Sequence, residues 1–234
     1  MTQNKPRRLP SMTQKELMLG IFYLVMDLLL LPLLLKGVNQ LLPVPLTNIW
    51  LNFILFFLNF VFICWIFRSY LRKNLTGSVR QLWRMTLTAG GGFALYWLCG
   101  AALYWVFRLY CPDFVNLNDN SIAQMSQGNY LLTALGTVLL VPLAEETLFR
   151  GLIFGGLYPR SPVAAYILST AFFSAIHVVG YVGQYQQPLH LLLAFIQYLP
   201  AGLILAGAYR RTQSIFTSVA IHTIINTMGV LALR

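Results

Sequence analysis

The chain has 234 residues, 58% of them hydrophobic and only 9% charged, whereas a soluble domain carries about 25% charged residues. That composition excludes an ordinary soluble globule and fits one all-α polytopic transmembrane bundle, built from spans of about 20 apolar residues. Sixteen Lys and Arg against six Asp and Glu give a net charge of +10. The positive-inside rule and contact with the lipid bilayer account for that excess, and no nucleic-acid-binding module is present.

In chain order, residues 1–14 form a polar tail with Lys5, Arg7 and Arg8, expected to be cytoplasmic. Residues 15–234 form a single transmembrane domain. The apolar run Leu17–Leu35 is too long for the hydrophobic region of a signal peptide, and no small-x-small site ends it, so it reads as an uncleaved first span. That span covers about Lys15–Gln40, with an interruption at Pro32. Asp27 inside it is expected to bond to a neighbouring helix. Pro43-Val44-Pro45 breaks the helix. Span 2 covers about Thr47–Tyr70, and its Asn52 and Asn59, seven residues apart, are expected to bond across helices. The segment Arg68–Arg84 carries Arg68, Arg72, Lys73, Arg80 and Arg84 and reads as a cytoplasmic loop. Span 3, about Met85–Tyr110, contains Gly90-Gly91-Gly92, which permits close backbone approach, and Trp97, Trp105 and Tyr110, which suit an interface.

Cys111–Gln127 is the longest polar stretch and reads as a loop whose only charges are acidic, Asp113 and Asp119. Span 4 runs from about Gly128 to Tyr158 and span 5 from about Val163 to Val182. Span 6 is about Leu189–Tyr209, with Gln197, Tyr198 and an expected kink at Pro200. After the basic turn Arg210-Arg211, span 7 covers about Ser214–Leu233. The bundle therefore has about seven spans, with the N-terminus cytoplasmic and the C-terminus outside. Cys64, Cys99 and Cys111 show neither metal spacing nor a disulfide framework.

The chemistry concentrates within about residues 128–230. Glu145, Glu146 and Arg150 lie inside the apolar span 4, and an ionisable group at membrane depth marks a functional site by default, at a cost of about 2.5–3.5 kcal/mol each. Glu146 and Arg150 are i, i+4 and share a helix face, with the acid first, so Arg150 is expected to hold Glu146. Glu145 points about 100° away and is left free for another helix. Pro142 frees the carbonyl of Val138 and is expected to kink the span. His177 follows Phe173 at i, i+4 on span 5, and Asn226 follows His222 at i, i+4 on span 7. His190 reads as an interfacial residue. Glu, two His and Asn fit amide hydrolysis: a carboxylate takes a proton from water, a His positions that water or protonates the amine, and Asn and His donate to an oxyanion. Glu145, His177 and His222 could equally hold a catalytic zinc ion. No Ser or Cys stands in a nucleophile-like setting beside a His.

Glu145-Glu146-x-x-x-Arg150, Phe173-x-x-x-His177 and His222-x-x-x-Asn226 resemble, in order and spacing, the three polar motifs of the type II CAAX prenyl endopeptidases. These belong to the wider group of CAAX proteases and bacteriocin-processing enzymes. The resemblance spans about Leu131–Gly229 and also takes in Pro142 and Phe149-Arg150-Gly151. It implies an intramembrane endopeptidase acting on a membrane-associated peptide or protein substrate. It implies Glu145 with His177 as water-activating residues, His222 and Asn226 as oxyanion donors, and Arg150 as structural. Family members are described both as metalloproteases and as metal-independent glutamate proteases; the base and donors favour the second, with no cofactor. The small basic chain is similar to the prokaryotic branch, linked to peptide maturation or bacteriocin self-immunity. Two other readings compete: a non-catalytic membrane scaffold or immunity protein of the same fold, and a small proton-coupled transporter. The oligomeric state is not legible in the sequence.

Overall fold

Thr13 starts the first helix. Its hydroxyl accepts from the Glu16 amide at 3.2 Å, and Glu16 Oε2 accepts from the Thr13 amide at 2.8 Å, a capping box. The computed structural model describes residues 9–233; residues 1–8 of the expected cytoplasmic tail, and Arg234, lie outside them. Among the described residues the chain forms nine helices and no strand. They are α1 (Gln14–Gln40), α2 (Asn48–Ile66), α3 (Arg68–Ser78), α4 (Leu82–Tyr110), α5 (Leu117–Gly128), α6 (Tyr130–Leu157), α7 (Pro162–Ile176), α8 (Pro188–Thr212) and α9 (Ile215–Leu231).

Five of these, α1, α2, α4, α6 and α8, are long and apolar enough to cross a membrane. The seven expected spans correspond to these five and two shorter apolar helices, α7 with 15 residues and α9 with 17. The bundle is all-α and polytopic. The most apolar windows of α6 and α8 are 44% and 39% buried, against 11%, 6% and 0% for α1, α2 and α4, so α6 and α8 are inner helices and the other three face lipid. One face of α6, with Ala144, Leu148 and Leu152 at i, i+4 spacing, packs with Tyr23 of α1 and Ile63 of α2. The opposite face brings Phe149 against Phe173, Ala201, Leu205 and Ile221 of α7, α8 and α9. This part of α6 therefore meets α7 and α9, the two helices that carry the other motifs, and α8 between them in the chain.

Asp27 is bonded to the neighbouring helix: Asn59 Nδ2 donates to Asp27 Oδ2 at 3.2 Å, and Tyr23 donates to Asn59 Oδ1 at 3.0 Å. Asn52 reaches α5 instead, donating to Met125 Sδ at 3.1 Å. Two of the three prolines inside spans follow π-helical stretches, Met26–Leu30 before Pro32 and Leu135–Leu140 before Pro142. A widened turn makes room for a ring that an α-helical ladder would reject. Pro200 lies inside α8, which continues to Thr212.

Four local expectations are corrected. The basic segment Arg68–Arg84 is not a loop over its first part: Arg68–Ser78 is helical, with Tyr70, Asn74 and Ser78 buried at i, i+4, i+8 and Arg68, Arg72 and Lys73 facing out. Dense charge hid that stripe. Its first turn is held by Glu16 Oε1, which accepts from the Tyr70 amide at 2.8 Å, and Asn74 Oδ1 accepts from the Ile215 amide at 3.2 Å, satisfying a free donor at the start of α9. The polar stretch after Cys111 also contains a helix, α5. Asn116 caps it by accepting from the amides of Asn118 at 2.9 Å and Asp119 at 3.3 Å, and Asp119 in the first turn suits the helix dipole. Span 5 ends at Ile176, six residues short of the expected Val182. His177 is its C-cap and a 3₁₀ turn, Val179–Tyr181, follows. Of the three glycines in α4 only Gly92 makes a close approach, where a Cβ would come within 2.7 Å of Ile221; Gly90 and Gly91 face open space.

Gly202 lets α8 approach α7 closely. A Cβ there would lie 2.7 Å from Thr170 Cγ2 and 3.1 Å from its Cα. Because backbone blocks it, Gly202→Ala is expected to lower stability by about 1–3 kcal/mol. Gly207→Ala, on the same helix with nothing within 4 Å, should leave it unchanged or raised. Thermal melts of the two variants in detergent check this.

Candidate active site

Glu146 sits at the centre of the site, fully buried. Its Oε1 accepts from Arg150 Nη1 at 3.1 Å and from His222 Nδ1 at 3.0 Å. The first contact is the i, i+4 pair; the second crosses from α6 to α9. Arg150 is also fully buried. It donates from Nη2 to the Gly202 carbonyl at 3.3 Å and lays its guanidinium 4.4 Å from the Phe173 ring centre. One arginine thus ties α6 to α7 and α8.

Glu145 points away from Arg150, as the helix period requires. Its Oε2 is buried without a hydrogen-bond partner among the described residues and lies 4.0 Å from His222 Nε2. His222 therefore spans the two acids. Because a carboxylate only accepts, Nδ1 carries the proton given to Glu146, and Nε2 is the nitrogen turned toward Glu145.

His177 is held differently. Its Nδ1 lies 2.8 Å from the Phe173 carbonyl, which can only accept, so Nδ1 carries a proton and Nε2 is left free. Its ring is 4.8 Å from that of Phe173, which in turn stands 5.7 Å from His222. Phe173 is thus the shared wall between the two histidines. His177 also stacks on Tyr198 of α8, with ring centres 4.3 Å apart.

Asn226 faces the widened part of α6. The Val141 amide bonds to Gly136, one residue further back than in an α-helix, so the Thr137 carbonyl is left opposite Pro142, which has no N–H. Asn226 Nδ2 donates to that carbonyl at 2.7 Å. One turn earlier on α9, Thr223 donates to the Val138 carbonyl at 3.3 Å, the group that Pro142 was expected to free. The widened span and α9 are therefore matched: the Thr137 and Val138 carbonyls on one helix accept from side chains of the other.

The structure brings Glu145, Glu146, Arg150 and His222 into one cluster, with His177 across Phe173 and Asn226 beside Thr137. The sequence did not reveal the Glu146–His222 bond, since 76 residues separate the partners. Nor did it reveal Tyr198 beside His177; the i, i+4 spacings report contacts within a helix only. Among the described residues, no group of three His, Cys, Asp or Glu side chains is gathered closely enough to hold a metal ion.

Residues 127–228, from just ahead of α6 to most of the way along α9, match the family model "Type II CAAX prenyl endopeptidase Rce1-like". Over 150 residues the chain is 24% identical to the UPF0177 protein YxdF of Lactococcus lactis subsp. lactis (strain IL1403), covering 60% of this chain and 77% of that one. No solved structure matches the chain. Across its four inner helices the chain thus resembles the Rce1-like type II CAAX prenyl endopeptidases, a family of membrane proteases.

Proposed function

We propose that this protein is an intramembrane endopeptidase that hydrolyses peptide bonds of membrane-associated peptides or proteins, with Glu145 as the base that activates water. The observation that carries this reading is the buried, unpartnered Glu145 Oε2 lying 4.0 Å from His222 Nε2. Glu145 takes the proton as the water oxygen bonds to the carbonyl carbon, and the carbonyl oxygen takes up the negative charge. His222, when protonated on both nitrogens, keeps Nδ1–H on Glu146 and offers Nε2–H to that oxyanion. Asn226 uses one N–H on Thr137 and has a second to offer. As the carbon–nitrogen bond breaks, the amine leaves with the proton taken from water. His177, with Nε2 free, holds the water or relays the proton. Glu146 and Arg150 position the others.

The glutamate mechanism is favoured over a zinc mechanism because base and donors are both supplied by the chain. Purified protein in liposomes, incubated with a solubilised membrane fraction in ¹⁸O water, is expected to yield new C-terminal carboxylates carrying one ¹⁸O each. Elemental analysis of the same active sample should find no stoichiometric zinc. Stoichiometric zinc, with activity lost to a chelator and restored by zinc, makes Glu145, His177 and His222 the ligands instead. A folded protein that releases no labelled termini returns the non-catalytic reading.

The basic end of the bundle is proposed to face the cytoplasm of a prokaryotic cell. Tyr70 pairs with Tyr209 at 2.9 Å, Glu16 bonds the Tyr70 amide, and Arg210 bonds the Tyr158 hydroxyl. These contacts gather the α1 start, the basic helix α3, the turn holding Arg160 and the end of α8, where Arg210 and Arg211 are helical rather than in the expected turn, at one end. Cys111, near the opposite end, should react with a membrane-impermeant maleimide in intact cells, and a cysteine placed by Arg160→Cys should not. The reverse pattern inverts the orientation.

A further inference from the structure

The hydroxyl of Tyr198 is saturated by residues at the start of α5. It donates to Asp119 Oδ1 at 2.8 Å and lies 3.2 Å from Asn116 Nδ2 and 3.0 Å from Asn118 Nδ2, both donors. A phenolic hydroxyl has one proton to give and two lone pairs to fill, so this set uses its whole capacity. The neighbouring Gln197 is bound into the same cluster: its Nε2 donates to Asp119 Oδ2 at 3.1 Å, and its Oε1 accepts from Asn116 at 3.2 Å. A ring anchored in this way has one orientation. Its face lies on His177, with centres 4.3 Å apart and planes 26° apart. His177 needs such a support, because it is the C-cap of α7 and the helix does not continue beyond it. Phe173 holds one edge of the imidazole through Nδ1, Tyr198 covers a face, and Nε2 is the polar atom left over.

We infer that Tyr198, anchored by Asn116, Asn118 and Asp119, is the positioning residue for His177, so that helix α5 sets the geometry of the site from outside the four inner helices. This rests on the peptidase reading of His177, and the test separates the two. The chain has three histidines, so ¹⁵N-histidine labelling of the full-length protein in nanodiscs gives a small imidazole spectrum, with His177 assigned by its loss in His177→Gln. Tyr198→Leu should remove the ring-current shift from the His177 signals and leave those of His222 in place. It should also slow release of ¹⁸O-labelled termini about 10²-fold, as expected for a group displaced by about 1 Å. Tyr198→Phe keeps the ring and should recover most of the shift and much of the rate. Asp119→Ala, which removes only an anchor, should shift the His177 signals in the same direction as Tyr198→Leu but less far. Unmoved His177 signals in Tyr198→Leu overturn the inference. So does an unchanged rate in Tyr198→Leu when His177→Ala is inactive. If the parent protein releases no termini, the peptidase reading fails by itself, and the imidazole spectrum still decides whether Tyr198 holds His177.

Discussion

Arg150→Ala is expected to lower stability by about 3–5 kcal/mol, the largest stability loss among single substitutions in this bundle. Arg150 is fully buried and makes three attachments: Glu146 Oε1 at 3.1 Å, the Gly202 carbonyl at 3.3 Å, and the Phe173 ring at 4.4 Å. Removing it leaves the Glu146 carboxylate buried with His222 as its remaining partner and takes away the strut between α6, α7 and α8. Since folded proteins are stable by only about 5–15 kcal/mol, the variant should show reduced yield and an earlier melt in detergent. Arg150→Lys keeps the charge without the planar fork that reaches both Glu146 and Gly202, so it should fall between the two. Size-exclusion chromatography and thermal melts of purified variants check this. An Arg150→Ala protein that melts like the parent and yet is inactive puts the arginine in the chemistry rather than in the frame.

Glu145→Gln is expected to reduce peptide cleavage by about 10²–10⁴-fold, the contribution typical of a general base, while leaving the fold intact. The amide is nearly isosteric, Glu145 Oε2 makes no hydrogen bond that folding depends on, and a neutral amide cannot take a proton from water. Glu146→Gln should act differently. Glu146 Oε1 joins Arg150 and His222, so the substitution leaves the arginine without its counter-charge and weakens the hold on His222 Nδ1. Both stability and rate should fall together. Rates from the ¹⁸O release assay, read beside melts of the same samples, separate the two acids. Full activity in Glu145→Gln, with Glu146→Gln folded but dead, exchanges their roles.

Much of this arrangement is legible in the sequence where the signal is local. The apolar runs locate all seven apolar helices, because a lipid-facing helix has to be apolar over its length. The Glu146–Arg150 pair follows from a spacing of four, and a break in the α6 ladder follows from Pro142 having no N–H, although the π-helical turn moves the carbonyl opposite it from Val138 to Thr137. What is not legible depends on partners far apart in the chain. Thr223 and Asn226 supply hydrogen bonds to α6 from 85 and 89 residues away. Tyr198 is tied to Asp119 across 79 residues. Helices α3 and α5 are hidden for another reason: they are short and polar, and hydropathy reads such segments as loops. The signals that reveal them are the Tyr70, Asn74, Ser78 stripe in one and the Asn116 cap followed by Asp119 in the other. The end of α7 is the subtlest case, since the sequence stays apolar through Val182 although the helix stops at Ile176. That early stop makes His177 a residue that others must hold.

The most direct measurement of the central claim compares peptide termini in membrane fractions of cells that produce the parent protein and the Glu145→Gln variant at equal abundance in the membrane. The account predicts a set of new termini in membrane-associated peptides or proteins with the parent that disappears with Glu145→Gln. The same termini at the same abundance in both samples would contradict it.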